Sequence, residues 1–160
     1  MSQPSYLSSF LWRQQLRNAD VFRAKFPGAW LVWEPGAWHS PSPTAHTTLK
    51  IDASATEPKQ GDALCISLGA ATDGRTLNVG REPENDVLLS DGTVSRHHLV
   101  LTAHGGGWRV RTAPQRAATL AGSPLPEQDV QLLPGQVLQL GGVTLSFHDG
   151  ESLLRRLAHP

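Results

Sequence analysis

Four adjacent residues, Ser95-Arg96-His97-His98, place a hydroxyl, a guanidinium and two imidazoles within one short stretch. A serine beside histidines could be a nucleophile with its base, and paired histidines could ligate a metal. Neither chemistry finds its remaining parts. Neighbouring residues of an extended segment point to opposite faces, so His97 and His98 do not share one metal easily. No Asp, Glu or Cys motif supplies further ligands, and no third residue orients a base. A different partner for Ser95 and Arg96 lies fourteen residues upstream, where Gly80-Arg81 follows the apolar alternation Leu77-Asn78-Val79. Glycine permits close approach of backbone or ligand, and arginine offers a planar fork of donors matched to phosphate oxygens. If the two loops converge, Arg81, Ser95 and Arg96 supply two permanent positive charges and a hydroxyl, an inventory suited to a phosphate ester. The alternative for the same residues is a solvated surface in which Arg81 and Arg96 pair with Glu82, Glu84 or Asp86.

Loops of this kind need a rigid scaffold, and residues from Leu64 onward have the pattern of one. Short apolar alternations recur at 64–68, 77–79, 87–89, 99–101, 108–110, 130–132, 137–140 and 143–145. Asp73-Gly74, Asp91-Gly92, Gly105-Gly106-Gly107, Pro134-Gly135 and Gly141-Gly142 separate them as turns. Many short strands at this spacing predict an all-β sandwich or barrel, with no βαβ unit. The tail "ESLLRRLAH" has the makings of one or two helical turns.

The first 38 residues differ. They carry four of the five tryptophans. Tyr6, Leu7, Phe10 and Leu11, then Val21, Phe22 and Phe26, fall at helical spacings, which predicts one or two short helices over 5–26. Trp30-Leu31-Val32-Trp33 lies between two copies of Pro-Gly-Ala-Trp and suits a short strand. These aromatics are expected to pack onto the main domain, the alternative being a docking element for another protein. Residues 39–62 are rich in Pro, Ser and Thr, as a linker would be, with a brief strand suggested at Leu49 and Ile51. The expected division is therefore 1–38, linker 39–62, β-domain 63–150 and tail 151–160.

Bulk properties narrow the function. Fourteen Lys and Arg balance fourteen Asp and Glu, so no basic surplus argues for a nucleic-acid partner. One cysteine, Cys65, excludes an intrachain disulfide. The N-terminus lacks the pattern of a secretory signal, and no apolar run reaches the roughly 20 residues of a membrane span. A soluble cytoplasmic protein, with no membrane partner, is expected.

The order Gly80-Arg81, Asn85-Asp86-Val87, Val94-Ser95-Arg96-x-His98, followed by Trp108-x-Val110 and "LLPGQVLQLGGVTLSF", closely resembles the forkhead-associated (FHA) domain signature over about residues 63–148. The resemblance implies an eleven-stranded β-sandwich that binds phosphothreonine peptides through loops at one end. It implies no catalytic residues, metal or cofactor. Arg81 and Ser95 match the side chains that hold the phosphate in that family, and Arg96 matches a position that often adds a contact. His98 matches a structural histidine that ties loops together, and Gly80 and Asn85 match loop-shaping positions. His97 falls at a variable one. One departure stands out. Where the family has Ser-x-Asn-Gly-Thr, this chain has Gln115-Arg116-Ala117-Ala118-Thr119. The asparagine that grips the peptide backbone is absent, leaving Arg116 and Thr119 as candidate peptide contacts. The implied function is a phosphothreonine-dependent interaction module in Ser/Thr kinase signalling. The alternative is an FHA-fold scaffold that binds partners, or itself, without phosphate. Self-association through the N-terminal segment or the linker is a further expectation, since Thr44, Thr47, Thr48 and Thr56 are sites a kinase could reach.

Overall fold

The computed structural model describes residues 3–26, 28–34 and 63–158. In chain order it contains strand β1 (Ser5–Leu7), helices α1 (Ser8–Arg17) and α2 (Ala19–Lys25), and strand β2 (Ala29–Trp33). Strands β3 (Leu64–Gly69), β4 (Thr76–Gly80), β5 (Val87–Leu88), β6 (Leu99–His104) and β7 (Gly107–Thr112) follow. The chain continues through β8 (Thr119–Leu120), β9 (Ser123–Pro124), β10 (Val130–Gln131), β11 (Val137–Leu140) and β12 (Val143–His148), and ends in helix α3 (Gly150–Ala158). The strands form two sheets. One has seven strands in the order β1-β3-β2-β12-β11-β8-β9, and the other five in the order β10-β7-β6-β4-β5.

The sandwich thus has twelve strands among the described residues, one more than the resemblance implies. The larger sheet also reaches N-terminal of residue 63. Strand β2 lies between β3 and β12, pairing Leu31 with both Ile66 and Phe147. Tyr6 and Leu7, expected in a helix, instead continue the sheet as β1, opposite Cys65 and Leu64. Local spacing cannot reveal this, because the partner strand is almost sixty residues away along the sequence. The hairpin of β8 and β9 was not visible in the alternation either, and turns through Ala121 and Gly122, both at positive φ. That is the backbone of a two-residue hairpin loop, built here with an alanine where Asn or Asp is usual. The second Pro-Gly-Ala-Trp copy, the linker 39–62 and the strand expected at Leu49 and Ile51 lie outside the described residues.

Alternation in the strands builds two apolar layers. Leu31, Trp33, Leu64, Ile66, Leu145 and Phe147 share one face of the larger sheet and are buried, as are Leu77, Val79, Leu99, Leu101, Trp108 and Val110 on the smaller one. The other face of the larger sheet carries Tyr6 and Trp30, and the N-terminal helices cover it. Tyr6 stacks on Phe10, and Phe26 sits edge-on to Tyr6 with its ring centroid 6.2 Å from that of Trp30. The tryptophans of β2 are therefore core residues, Trp30 at 0% and Trp33 at 2% exposure. Asn18 separates the two N-terminal helices and caps the second, its Oδ1 accepting from the Asp20 and Val21 amides at 3.1 and 3.2 Å.

Helix α3, longer than the one or two turns expected, is fixed to the same face by a polar chain. Asp149 caps it, accepting from the Ser152 amide at 2.8 Å. The Ser146 hydroxyl donates to Glu34 at 2.6 Å, and Arg156 closes on the same carboxylate with Nη2 2.7 Å from Oε1. His148 lies between Ser146 and Ser152, its two ring nitrogens bonded to their hydroxyls. With Ser146 donating to Glu34, the neutral imidazole donates from Nε2 to Ser146 and accepts at Nδ1 from Ser152. Burial lowers the His148 pKa below 6.5, with Arg156 acting in the same direction and Glu34 opposing. Because the folded value lies below the unfolded one, the unfolded chain takes up a proton first, and this contribution to stability is lost as pH falls. Thermal unfolding followed from pH 7.5 to pH 5 should show Tm falling below about pH 6.5, and His148→Gln should flatten that part of the profile.

Candidate phosphate-binding site

The loops β4–β5 (81–86), β5–β6 (89–98) and β7–β8 (113–118) meet at one end of the sandwich, together with the tight β11–β12 turn at 141–142. The chain turns sharply after Gly80, so that β5 runs parallel to β4, Val79 opposite Val87. The position of Gly80 explains its residue type. A Cβ there would lie 2.1 Å from the Arg96 carbonyl oxygen and 2.8 Å from Asn85 Nδ2, closer than any side chain can approach. This main-chain contact draws the first two loops together. The Arg81 amide then donates to the Ser95 carbonyl at 3.0 Å, and Arg81 Nε donates to the Val94 carbonyl at 3.0 Å.

Asn85 completes the junction. It is 1% exposed, and its Nδ2 donates to the carbonyls of Glu82 at 2.9 Å and Arg96 at 2.7 Å. A buried amide with its donors satisfied fixes both loops at low cost. Asp86 works on the other side, accepting from the Asn78 amide at 2.9 Å.

The two histidines have separate surroundings. His98 is buried. Its Nδ1 accepts from the Ser95 amide at 3.1 Å, so its proton is on Nε2, which donates to the Ala117 carbonyl at 2.8 Å. One ring thereby joins the second loop to the third. His97 is exposed, donating from Nδ1 to Asn85 Oδ1 at 3.1 Å, with Nε2 3.7 Å from Glu84 Oε1. Among the described residues no group of three His, Cys, Asp or Glu side chains gathers as a metal site would require.

Arg81 and Ser95 are thus brought together, and Arg96 stands beside them. Arg81 is exposed and forms no ion pair among the described residues, while its Nε bond to Val94 fixes the direction of the guanidinium. Ser95 has its amide engaged by His98 and its carbonyl by the Arg81 amide, which fixes its main chain. Arg96 is 74% exposed, with Nε 3.4 Å from Glu82 Oε1. The arrangement can seat a tetrahedral dianion against one fixed guanidinium, one hydroxyl and one mobile guanidinium.

The third loop offers less. Gln115 sits at φ 63°, and the Arg116 amide donates to the Ala113 carbonyl at 3.1 Å. The Ala117 and Ala118 carbonyls are taken by His98 and by the Leu125 amide, and Ala118 is buried. Thr119 begins β8, opposite Gln139, and Arg116 is exposed at the loop tip. Thr93 was not singled out from the sequence. It lies in the turn opened by Asp91, its Oγ1 accepts from the Gly142 amide at 2.7 Å, and a Cβ on Gly141 would come within 2.3 Å of its carbonyl. Thr93 therefore fixes the second loop to the β11–β12 turn. The Asp91-Gly92 pair marked a turn, but nothing nearby in sequence identified its contact 49 residues away.

Residues 68–151, just over half of the chain, match the family described as the cytoplasmic domain of the inner membrane component of T3SS. The chain belongs to that family. Its fold is that of an FHA domain, as solved structures show. The FHA domain of a hypothetical protein from Arabidopsis thaliana is 24% identical with a TM-score of 0.50, over 77% of this chain and 86% of that one. EmbR from Mycobacterium tuberculosis, solved with a low-affinity phosphopeptide, is 14% identical with a TM-score of 0.50, over 86% of this chain and 30% of that one. Among curated proteins, an oxoglutarate dehydrogenase inhibitor from Corynebacterium efficiens is 29% identical over 138 residues, covering 85% of this chain and 91% of its own length. No helix among the described residues of this family member is long and apolar enough to cross a membrane.

The Gly80 contact makes a direct prediction. Gly80→Ala should lower stability by about 1–3 kcal/mol in chemical denaturation, since the new methyl must push the Arg96 carbonyl away. The same displacement should disturb Ser95, visible as chemical-shift changes across residues 94–98.

Proposed function

We propose that this chain is a phosphothreonine-dependent protein–protein interaction module in Ser/Thr kinase signalling, a binding protein with no catalytic role, working in the cytoplasm. The observation that carries the reading is the pairing of Arg81 with Ser95. A guanidinium with no anionic partner among the described residues is aimed by Val94, next to a hydroxyl on a loop joined to it by main-chain hydrogen bonds. Arg96 supplies a second positive charge. Arg116 and Thr119 are the candidate contacts to the rest of the peptide, replacing the grip that Ala117 cannot supply. The M. tuberculosis protein with this fold was solved with a phosphopeptide, which agrees with the reading. So does a cytoplasmic location, from the description of the family.

A second reading has its own support. The C. efficiens relative is named as an inhibitor of an enzyme, oxoglutarate dehydrogenase, and the third loop here has lost its peptide clamp. On this reading the same fold engages a protein surface without phosphate.

One titration separates the two. A peptide with phosphothreonine should bind and the same peptide with threonine should not. Arg81→Ala should weaken binding roughly 10–100-fold, the value of a charge-assisted contact to a dianion. Binding should also weaken with added salt and below about pH 6, where the phosphate takes up its second proton. Equal affinity for both peptides, or no loss in Arg81→Ala, would overturn the first reading and favour the second.

The linker threonines bear on self-association. The Glu34 amide donates to the Thr144 carbonyl at 3.0 Å, and Leu64 pairs with Trp33. The chain therefore departs at residue 34 and returns at residue 63 near the end of the sandwich that holds Gly142 and Thr93. A phosphorylated Thr44, Thr47, Thr48 or Thr56 would be tethered close to Arg81 or presented to a second copy. Chain phosphorylated on these threonines should bind an added phosphopeptide more weakly than unmodified chain, or should dimerise in analytical ultracentrifugation. Unchanged affinity together with a monomer would exclude the linker as a ligand.

A further inference from the structure

The positive charges at the site are not all available in the same way, and the difference lies in one short loop. Arg81 faces no carboxylate among the described residues. Arg96 and His97, on the opposite loop, each face one: Glu82 Oε1 lies 3.4 Å from Arg96 Nε, and Glu84 Oε1 lies 3.7 Å from His97 Nε2. Glu82 cannot easily swing its backbone away. Its amide faces the Arg96 carbonyl at 3.5 Å, and its own carbonyl accepts from Asn85 Nδ2 at 2.9 Å. Its side chain is only 33% exposed, while that of the arginine it faces is 74% exposed. The mobile partner of the pair is the arginine.

A phosphate arriving between Arg81 and Ser95 would compete with Glu82 for Arg96. Once Arg96 turns to the phosphate, two carboxylates on the 81–86 loop stand beside a dianion, and like charges at close range repel. A positive charge on the ligand relieves this, whereas an acidic ligand residue adds to it. The third loop does little to select otherwise, because the Ala117 and Ala118 carbonyls are already engaged within the protein. Asp86 and Asp91 are not free to play the same part, since the first holds the Asn78 amide and the second the Thr93 amide.

We propose that Glu82 and Glu84 select among phosphothreonine ligands, favouring peptides with a lysine or arginine next to the phosphothreonine on the side that crosses the 81–86 loop. The proposal rests on the phosphothreonine reading and names the ligand class for that site. Arg116 belongs to the third loop, 113–118, so the preference is one-sided: the peptide residue beside that loop is not asked to be basic.

The test uses phosphothreonine peptides identical except for one residue, lysine or glutamate, placed in turn at each of the three positions on either side. Affinities are measured for the full chain by calorimetry, each beside its unphosphorylated counterpart. At one or two positions on one side, lysine should bind about three- to tenfold more tightly than glutamate, the range expected of partly exposed ion pairs acting together. Glu82→Gln keeps the main-chain bonds of residue 82, and both it and Glu84→Gln should reduce that ratio toward one, while thermal unfolding confirms that each variant is folded. Glu82→Gln should also raise affinity for a peptide with uncharged neighbours, because Arg96 is released. Phosphate-dependent binding with no lysine preference anywhere, or a preference unchanged in the Glu82→Gln, Glu84→Gln double variant, overturns the inference and leaves the module reading standing. Binding that ignores the phosphate in every peptide overturns both.

Discussion

The site depends on a place where two stretches of main chain touch. Gly80 lies against the Arg96 carbonyl with no room for a methyl group, and every other feature of the site follows from that contact. It brings the Arg81 amide to the Ser95 carbonyl and places Asn85 where its amide can hold both loops, while Arg81 Nε is held by the Val94 carbonyl. His98 extends the same register to the third loop. The candidate side chains are few, and most of the residues around them fix carbonyls and amides. That division of labour is what the proposed anion site would need: charge-assisted hydrogen bonds supply the strength and a fixed frame supplies the geometry.

Behind the loops, the sandwich gains stability from a second apolar layer. The larger sheet is covered on both faces, by the smaller sheet on one and by the three helices on the other, with Trp30 and Trp33 of the same strand buried on opposite sides. The N-terminal segment is in this sense a structural part of the domain. The chain Glu34, Ser146, His148, Ser152 and Arg156 does for α3 what the aromatic cluster does for the first two helices.

What could be read from the sequence divides along the range of the interactions. Leu99-Val100-Leu101 and Leu138-Gln139-Leu140 announce half-buried strands because burial alternates residue by residue. The strand at Trp30–Trp33 was equally local. Tyr6-Leu7 was not, because its conformation is imposed by pairing with Cys65 and Leu64. Nor was the β8–β9 hairpin, where Ala121 adopts positive φ in place of the residues that usually announce such a turn. At the candidate site, the order and spacing of Arg81, Ser95 and Arg96 pointed to two loops that do meet in the fold. Thr93 was not legible, since it acts through a contact that only the folded chain creates, whereas Glu82 was named as one possible partner of Arg96 and is the carboxylate found beside it.

The placement of β2 has a consequence for synthesis of the chain. It is an early segment that ends up in the interior of the larger sheet, with Trp30 opposite His148 near the far end of the sequence. Until the last strand has emerged from the ribosome, one edge of β2 and a face bearing Val32 and Trp30 lack their final cover. Pairings between such distant segments form slowly, and unpaired apolar edges favour association with other chains while they wait. The N-terminal helices can reach Tyr6 and Trp30 much earlier, being adjacent in sequence. They are thus positioned to act as a built-in chaperone for the strand that the rest of the domain must later close upon.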